Sequence, residues 1–97
     1  MSIYAVEYVY GPDAAAIRDE HRPAHRTWLA SLVQDGHVLA SGPFEDGTGA
    51  LLIFKADDDE ALNGLLKQDP FNAAGGIAGL KSTAWIPGIG ALSAHVG

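Results

Sequence analysis

The sequence predicts an α+β domain of the order β-α-β-β-α-β, with helices laid on a four-stranded antiparallel sheet. Three observations carry that expectation. Four short segments are rich in β-branched, aromatic or other apolar residues. Two segments between them repeat their apolar residues with helical spacing. A length of 97 residues leaves room for one domain, read over 1–97 with a core at about 3–87 and an irregular tail at 88–97.

Ile3 to Tyr10 (IYAVEYVY) is the first strand and ends at Gly11-Pro12. Asp13 to Arg22 is ambiguous: its alanines favour a helical turn, but Arg22 precedes a proline and is biased away from helix. Pro23 suits the first position of a helix, so the first helix is expected to begin there. His25, Trp28, Leu29, Leu32 and Val33 then fall at i, i+3, i+4, i+7 and i+8, one apolar face that stops at Asp35-Gly36.

Val38 to Ser41 is a short strand ending at Gly42-Pro43, and Ala50 to Phe54 is its hairpin partner across the turn Glu45 to Gly49. Asp57, with Glu60 three residues later, fits a helix start. Ala61, Leu62, Leu65 and Leu66 form that helix's stripe, and Pro70 is expected to end it. A glycine-containing loop from Ala73 to Gly79 leads to the last strand, Leu80 to Ile86. This order is the split βαβ pattern of ferredoxin-like folds.

Two helices cover only one face of such a sheet. Yet Leu51 and Ile53 point one way while Leu52 and Phe54 point the other, and the first strand is apolar on both sides with Glu7 as its only charge. An apolar patch of several hundred Å² would be left in water. A homodimer or higher homo-oligomer, packed face to face, is therefore expected.

Charge and composition exclude several functions. Twelve acidic against six basic residues give a net charge of −6, which argues against nucleic acid and against anionic membrane surfaces as partners. No cysteine is present, so thiolate catalysis and Cys-ligated metals are ruled out. No export signal follows Met1, and no apolar run reaches the roughly 18–20 residues of a membrane helix. A soluble, cytoplasmic protein is expected.

The topology gathers Gly11–Pro23, Ser41–Gly49 and Lys67–Gly79 at one end, with His21, Arg22, His25, Ser41, Asp46, Asp69 and Phe71. His25, placed in the first turn of its helix, is expected to be a neutral imidazole able to act as a base, or else a satisfied core histidine. Asp69 is placed at a helix C-terminus, where a carboxylate calls for a donor such as His25; an ordinary Asp-Pro turn is the alternative. His21 and His25 have the i, i+4 spacing of metal ligands, which a helix starting at Pro23 would spoil, so no metal is expected. Ser41 lacks a nucleophile signature, and Gly47-Thr48-Gly49 reads as a hairpin turn rather than a phosphate loop. No cofactor is expected.

Arg22-Pro23-Ala24-His25 with Trp28-Leu29, then Ser41-Gly42-Pro43-Phe44 with Asp46-Gly47, then Asp69-Pro70-Phe71 with Ala74-Gly75, and finally Trp85, resemble the YCII-related family over Ile3 to about Pro87. The resemblance implies a dimeric α+β barrel, related in fold to muconolactone isomerases and cofactor-free monooxygenases, with His25 and Asp69 at the family's proposed active-site pair. One family branch resembles enzymes that eliminate chloride from hydroxylated aromatic rings. Thr83-Ala84-Trp85 replaces an Arg-Pro-Trp-like segment of many relatives, and Ala73-Ala74-Gly75-Gly76 has an extra glycine; both are expected near the pocket.

The leading functional expectation is cofactor-free acid–base chemistry, isomerisation or elimination, on a small ring-shaped molecule. His25 would move the proton and Asp69 would orient it. Arg22, Ser41, Gly42, Pro43 and Phe71 are the expected substrate contacts. The alternatives are a non-enzymatic small-molecule-binding or accessory dimer using the same pocket, and a metal-dependent enzyme using His21 and His25.

Overall fold

A computed structural model describes residues 1–95. Strand β1 (Ser2–Val9) leads to helix α1 (Ala15–Gln34), and strands β2 (Val38–Pro43) and β3 (Gly49–Ala56) form a hairpin. Helices α2 (Asp59–Leu66) and α3 (Pro70–Ala73) precede strand β4 (Gly79–Trp85). The sheet order is β2-β3-β1-β4, with every neighbouring pair antiparallel. The tail expected to be irregular holds one 3-10 turn, Ser93–His95, and its residues 96–97 lie outside the described ones.

The period-two pattern of β1 and β3 builds the core. Tyr4 pairs with Phe54, Val6 with Leu52 and Tyr8 with Ala50, and all six side chains are buried on the helical side. Leu32 of α1, Val38 of β2, and Leu62 and Leu66 of α2 close over them. The opposite side carries Ile3, Val9, Leu51, Ile53 and Trp85. Glu7 is the one charge that β1 gives this side, and the register sets Lys81 of β4 beside it and Lys55 of β3 beside Ile3.

Several expected boundaries move. Helix α1 starts at Ala15, two turns before Pro23, which lies inside it. The proline still removes the N–H that would meet the carbonyl of Asp19. The early turns hold because Arg18 is anchored from both sides: its Nη1 donates to the carbonyls of Tyr10 at 3.1 Å and Gly76 at 3.0 Å. His25 is thus mid-helix, and the helix-dipole argument for its charge state falls. At the far end Gly36 takes a φ of +84°, a conformation suited to glycine, and the N–H of His37 reaches back to the carbonyl of Leu32.

Asp58, not Asp57, caps α2, its side chain accepting from the N–H of Ala61 at 2.8 Å. Pro70 does not end a helix but opens α3, and Asp69 is the N-cap of that helix rather than a C-terminal residue. Asp69 therefore meets an N–H donor of its own helix: Oδ1 accepts the N–H of Phe71. Strand β2 carries a bulge at Leu39, between the pairs Val38–Phe54 and Ala40–Ile53. The extra residue shifts the alternation, so Ser41 stands opposite Leu52 and Pro43 opposite Ala50, on the helical side.

Pro23→Ala restores the missing helical donor. Its expected effect is a gain of about 1–3 kcal/mol in a denaturant titration, and a loss instead would show that packing requires the proline ring.

Candidate active site

The cleft of the molecule lies between α1 and the β2–β3 hairpin. It encloses about 400 Å³. Arg18, Arg22, His25, Arg26 and Leu29, at i, i+4, i+7, i+8 and i+11 of α1, form one wall. Ser41, Gly42 and Pro43 face them from β2, and Tyr8, Tyr10 and Phe71 complete the floor. The β2 bulge is what brings Ser41 and Pro43 to this side.

His25 and Asp69 meet here. The ring Nδ1 is 2.7 Å from Asp69 Oδ1. Oδ1 also accepts the N–H of Phe71 at 2.9 Å, and Oδ2 accepts the hydroxyl of Tyr8 at 2.7 Å. A carboxylate only accepts, so Nδ1 carries the proton that it donates. The nitrogen left for the cleft is Nε2. Asp69 is fully buried, whereas the His25 side chain keeps 12% of its surface exposed. The imidazole stacks on Phe71, with centroids 3.8 Å apart and planes 5° from parallel. Ring stacking and the Nδ1 bond together fix both its position and its rotation.

Behind the pair stands a third layer. Asn72 Nδ2 donates to the Tyr8 hydroxyl at 3.2 Å and to the carbonyl of Leu66 at 2.9 Å, so the donor to Asp69 is itself held. Burial holds the Tyr8 phenol far above its ordinary range, and the neighbouring Asp69 charge and hydrogen bond push the same way. At neutral pH Tyr8 is therefore a donor to Asp69.

Every residue expected at the site lies in this cleft or, for Asp69, directly behind it: His25, Asp69, Arg22, Ser41, Gly42, Pro43 and Phe71. Asp46 belongs to the turn instead, accepting the N–H and hydroxyl of Thr48, which lowers its own carboxyl below the usual range. His21 does share α1 with His25, contrary to the expected break at Pro23. Among the described residues no three His, Asp or Glu side chains gather around a possible metal position. Thr83 to Trp85 are misplaced by the sequence reading: Ala84 and Trp85 border a separate hollow with Met1, Ile3 and His95. The extra glycine is near the cleft as expected. A Cβ on Gly76 would come within 3.1 Å of Arg18 Cγ and 3.3 Å of the Phe71 carbonyl.

Sequence reasoning missed Tyr8, Asn72 and Arg18 as site residues. Tyr8 had the parity of the buried face but no distinguishing neighbour. Arg18 sits at i−7 from His25, a spacing hidden once the helix is taken to start at Pro23.

The family model described as YCII-related domain matches residues 2–86. The chain belongs to that family. A solved structure of 5-chloro-2-hydroxyhydroquinone dehydrochlorinase (TftG) from Burkholderia phenoliruptrix AC1100, in complex with 2,5-dihydroxybenzoquinone, superposes on this YCII-related chain with a TM-score of 0.76. The match covers 86% of this chain and 92% of that one at 23% identity, which establishes a shared fold. A comparison with curated protein sequences gives no match. Among the described residues of this YCII-related domain, no helix is long and apolar enough to cross a membrane.

The Tyr8 shift has a consequence for stability. A phenol raised in the folded state contributes its full stabilisation below the unfolded value of about 10 and loses it as pH climbs above that. Denaturation midpoints are expected to fall above about pH 10, and Tyr8→Phe should flatten that fall while lowering stability at neutral pH. An unchanged alkaline slope in Tyr8→Phe would contradict the raised titration of the buried Tyr8 phenol.

Proposed function

We propose that this protein is a cofactor-independent enzyme that moves a proton on a small cyclic organic molecule. The observation that carries the reading is the His25–Asp69 pair itself: a buried, triply hydrogen-bonded carboxylate that leaves Nε2 as the free basic atom at an open cleft. In this reading Nε2 accepts a proton from a carbon or hydroxyl next to a carbonyl or enol. Asp69 stabilises the imidazolium that results. The proton then returns to a different atom in an isomerisation, or a leaving group departs with its electron pair in an elimination.

Two further features support an enzyme over a closed binding module. The cleft has room for a ring of one or two fused cycles. The polar groups Ser41 and Arg22 converge on it with the apolar faces of Leu29 and Phe71. The shared fold with a dehydrochlorinase makes chlorinated hydroxyhydroquinones reasonable first substrates, an analogy of fold alone.

The test is incubation in D₂O with a panel of enolisable cyclic diketones and 5-chloro-2-hydroxyhydroquinone, followed by NMR for deuterium uptake and by chloride release. His25→Ala is expected to lower any such rate about 10²- to 10⁴-fold, with the fold intact by circular dichroism. Asp69→Asn should lower it as well, because a neutral amide no longer stabilises the imidazolium that proton transfer creates. A rate that survives His25→Ala would overturn the assignment.

We also propose that the open sheet face pairs with a second copy of the chain. Val9, Leu51 and Trp85 are exposed on this face, with Leu51 at its centre opposite Glu7. Light scattering is expected to give twice the monomer mass. Leu51→Asp should shift the protein to monomer, and a wild type that is monomeric at micromolar concentration would refute the pairing.

A further inference from the structure

We infer that the cleft takes an organic anion, and that Arg18 is the group that receives its carboxylate or enolate oxygen. The inference rests on the cleft being the substrate site and adds the chemical class of what enters it.

Arg18 is the anomaly that points there. Its side chain is only 7% exposed, yet among the described residues no carboxylate pairs with it. A buried guanidinium normally has a counter-charge, since removing a charge from water without one is costly. Here Nη1 donates to the carbonyls of Tyr10 and Gly76, and the Tyr10 ring lies 4.1 Å from the guanidinium carbon. These contacts fix the group in place but do not neutralise it. Among the described residues its other nitrogens make no hydrogen bond. They are also not sealed off: among the described residues the one buried side-chain polar atom without a partner is Trp28 Nε1. The remaining donors of Arg18 are therefore reached from the cleft that it lines.

The surroundings favour the same ligand. All three arginines of the chain, Arg18, Arg22 and Arg26, line this one cleft, and no acidic side chain does. In a protein of net charge −6 this is a concentration of positive charge against the overall field. Arg22 is half-engaged by Asp19 at the surface, an exposed pair that a ligand can displace at little cost. Gly76 keeps the space beside Arg18 Cγ that a side chain would crowd. Along α1, Arg18 and His25 are separated by about 10 Å of axial rise, with Arg22 between them. A six-membered ring carrying an acidic group fits that span: its anionic oxygens meet the planar fork of Arg18, and its far edge faces Nε2 of His25.

The probe is 2-hydroxybenzoate, compared with its neutral isostere 2-hydroxybenzamide, in NMR titrations of the wild-type protein. The benzoate is expected to bind at least about tenfold more tightly than the amide, and to move the side-chain Nε–H resonance of Arg18. Arg18→Gln should erase that tenfold preference, whereas His25→Gln should leave it in place. Because the wild-type comparison and the Arg18 resonance need no substitution, the test stands even where Arg18→Gln fails to fold. Equal affinity for the two probes, no binding of the benzoate, or an unmoved Arg18 resonance would overturn the inference. Failure of the proton-transfer reading alone would look different: no deuterium uptake or chloride release, with the benzoate preference intact.

Discussion

The carboxylate of Asp69 is the point on which the rest of the structure turns. It is fully buried, and a buried carboxylate is tolerable only with its lone pairs met. The three groups that meet them come from three elements: the Tyr8 hydroxyl from β1, the His25 ring from α1 and the Phe71 N–H from α3. One side chain thus ties the central strand, the long helix and the short helix together. The same bonds that make the burial acceptable also fix the tautomer and direction of His25. Stability and chemistry share a single set of contacts, and changes at Asp69 act on both.

Around that centre the fold supplies a wall and a floor. Helix α1 crosses the sheet with its arginines and His25 on one face, and the hairpin rises opposite it. The bulge at Leu39 decides which hairpin residues reach the cleft, since without it Ser41 and Pro43 would point to the open side of the sheet. Arg18 connects the two functions of the wall. It staples the start of α1 to the end of β1 and to the loop before β4, and it also presents an uncompensated charge to the cleft. Gly76 serves both, giving its carbonyl as acceptor and its missing side chain as space.

Much of this was legible in the sequence, for identifiable reasons. The element order followed from apolar periodicity, and β1 and β3 were visibly apolar on both faces, which left open the face that the helices cover. The pairing of His25 with Asp69 came from topology and from the family's motifs, not from spacing. What failed were signals that tertiary contacts override. Pro23 and the residue before it normally mark a helix boundary, but Arg18 holds the preceding turns in place. Pro70 has the two meanings of helix stop and helix start, and the second applies, which makes Asp69 an N-cap. The bulge at Leu39 leaves no mark in composition, so the facing of Ser41 could not be derived. Tyr8, Asn72 and Arg18 are distant in sequence from what they touch, and nothing local distinguishes them.

The central claim is that Asp69 holds His25 with its proton on Nδ1 and its lone pair on Nε2. Nitrogen-15 NMR of the His25 ring, at a pH where the imidazole is neutral, measures this directly. The Nδ1–H tautomer should dominate in the wild type and give way in Asp69→Ala, which removes the acceptor. A wild-type ring mainly in the Nε2–H form, or a tautomer ratio unchanged by Asp69→Ala, would contradict it.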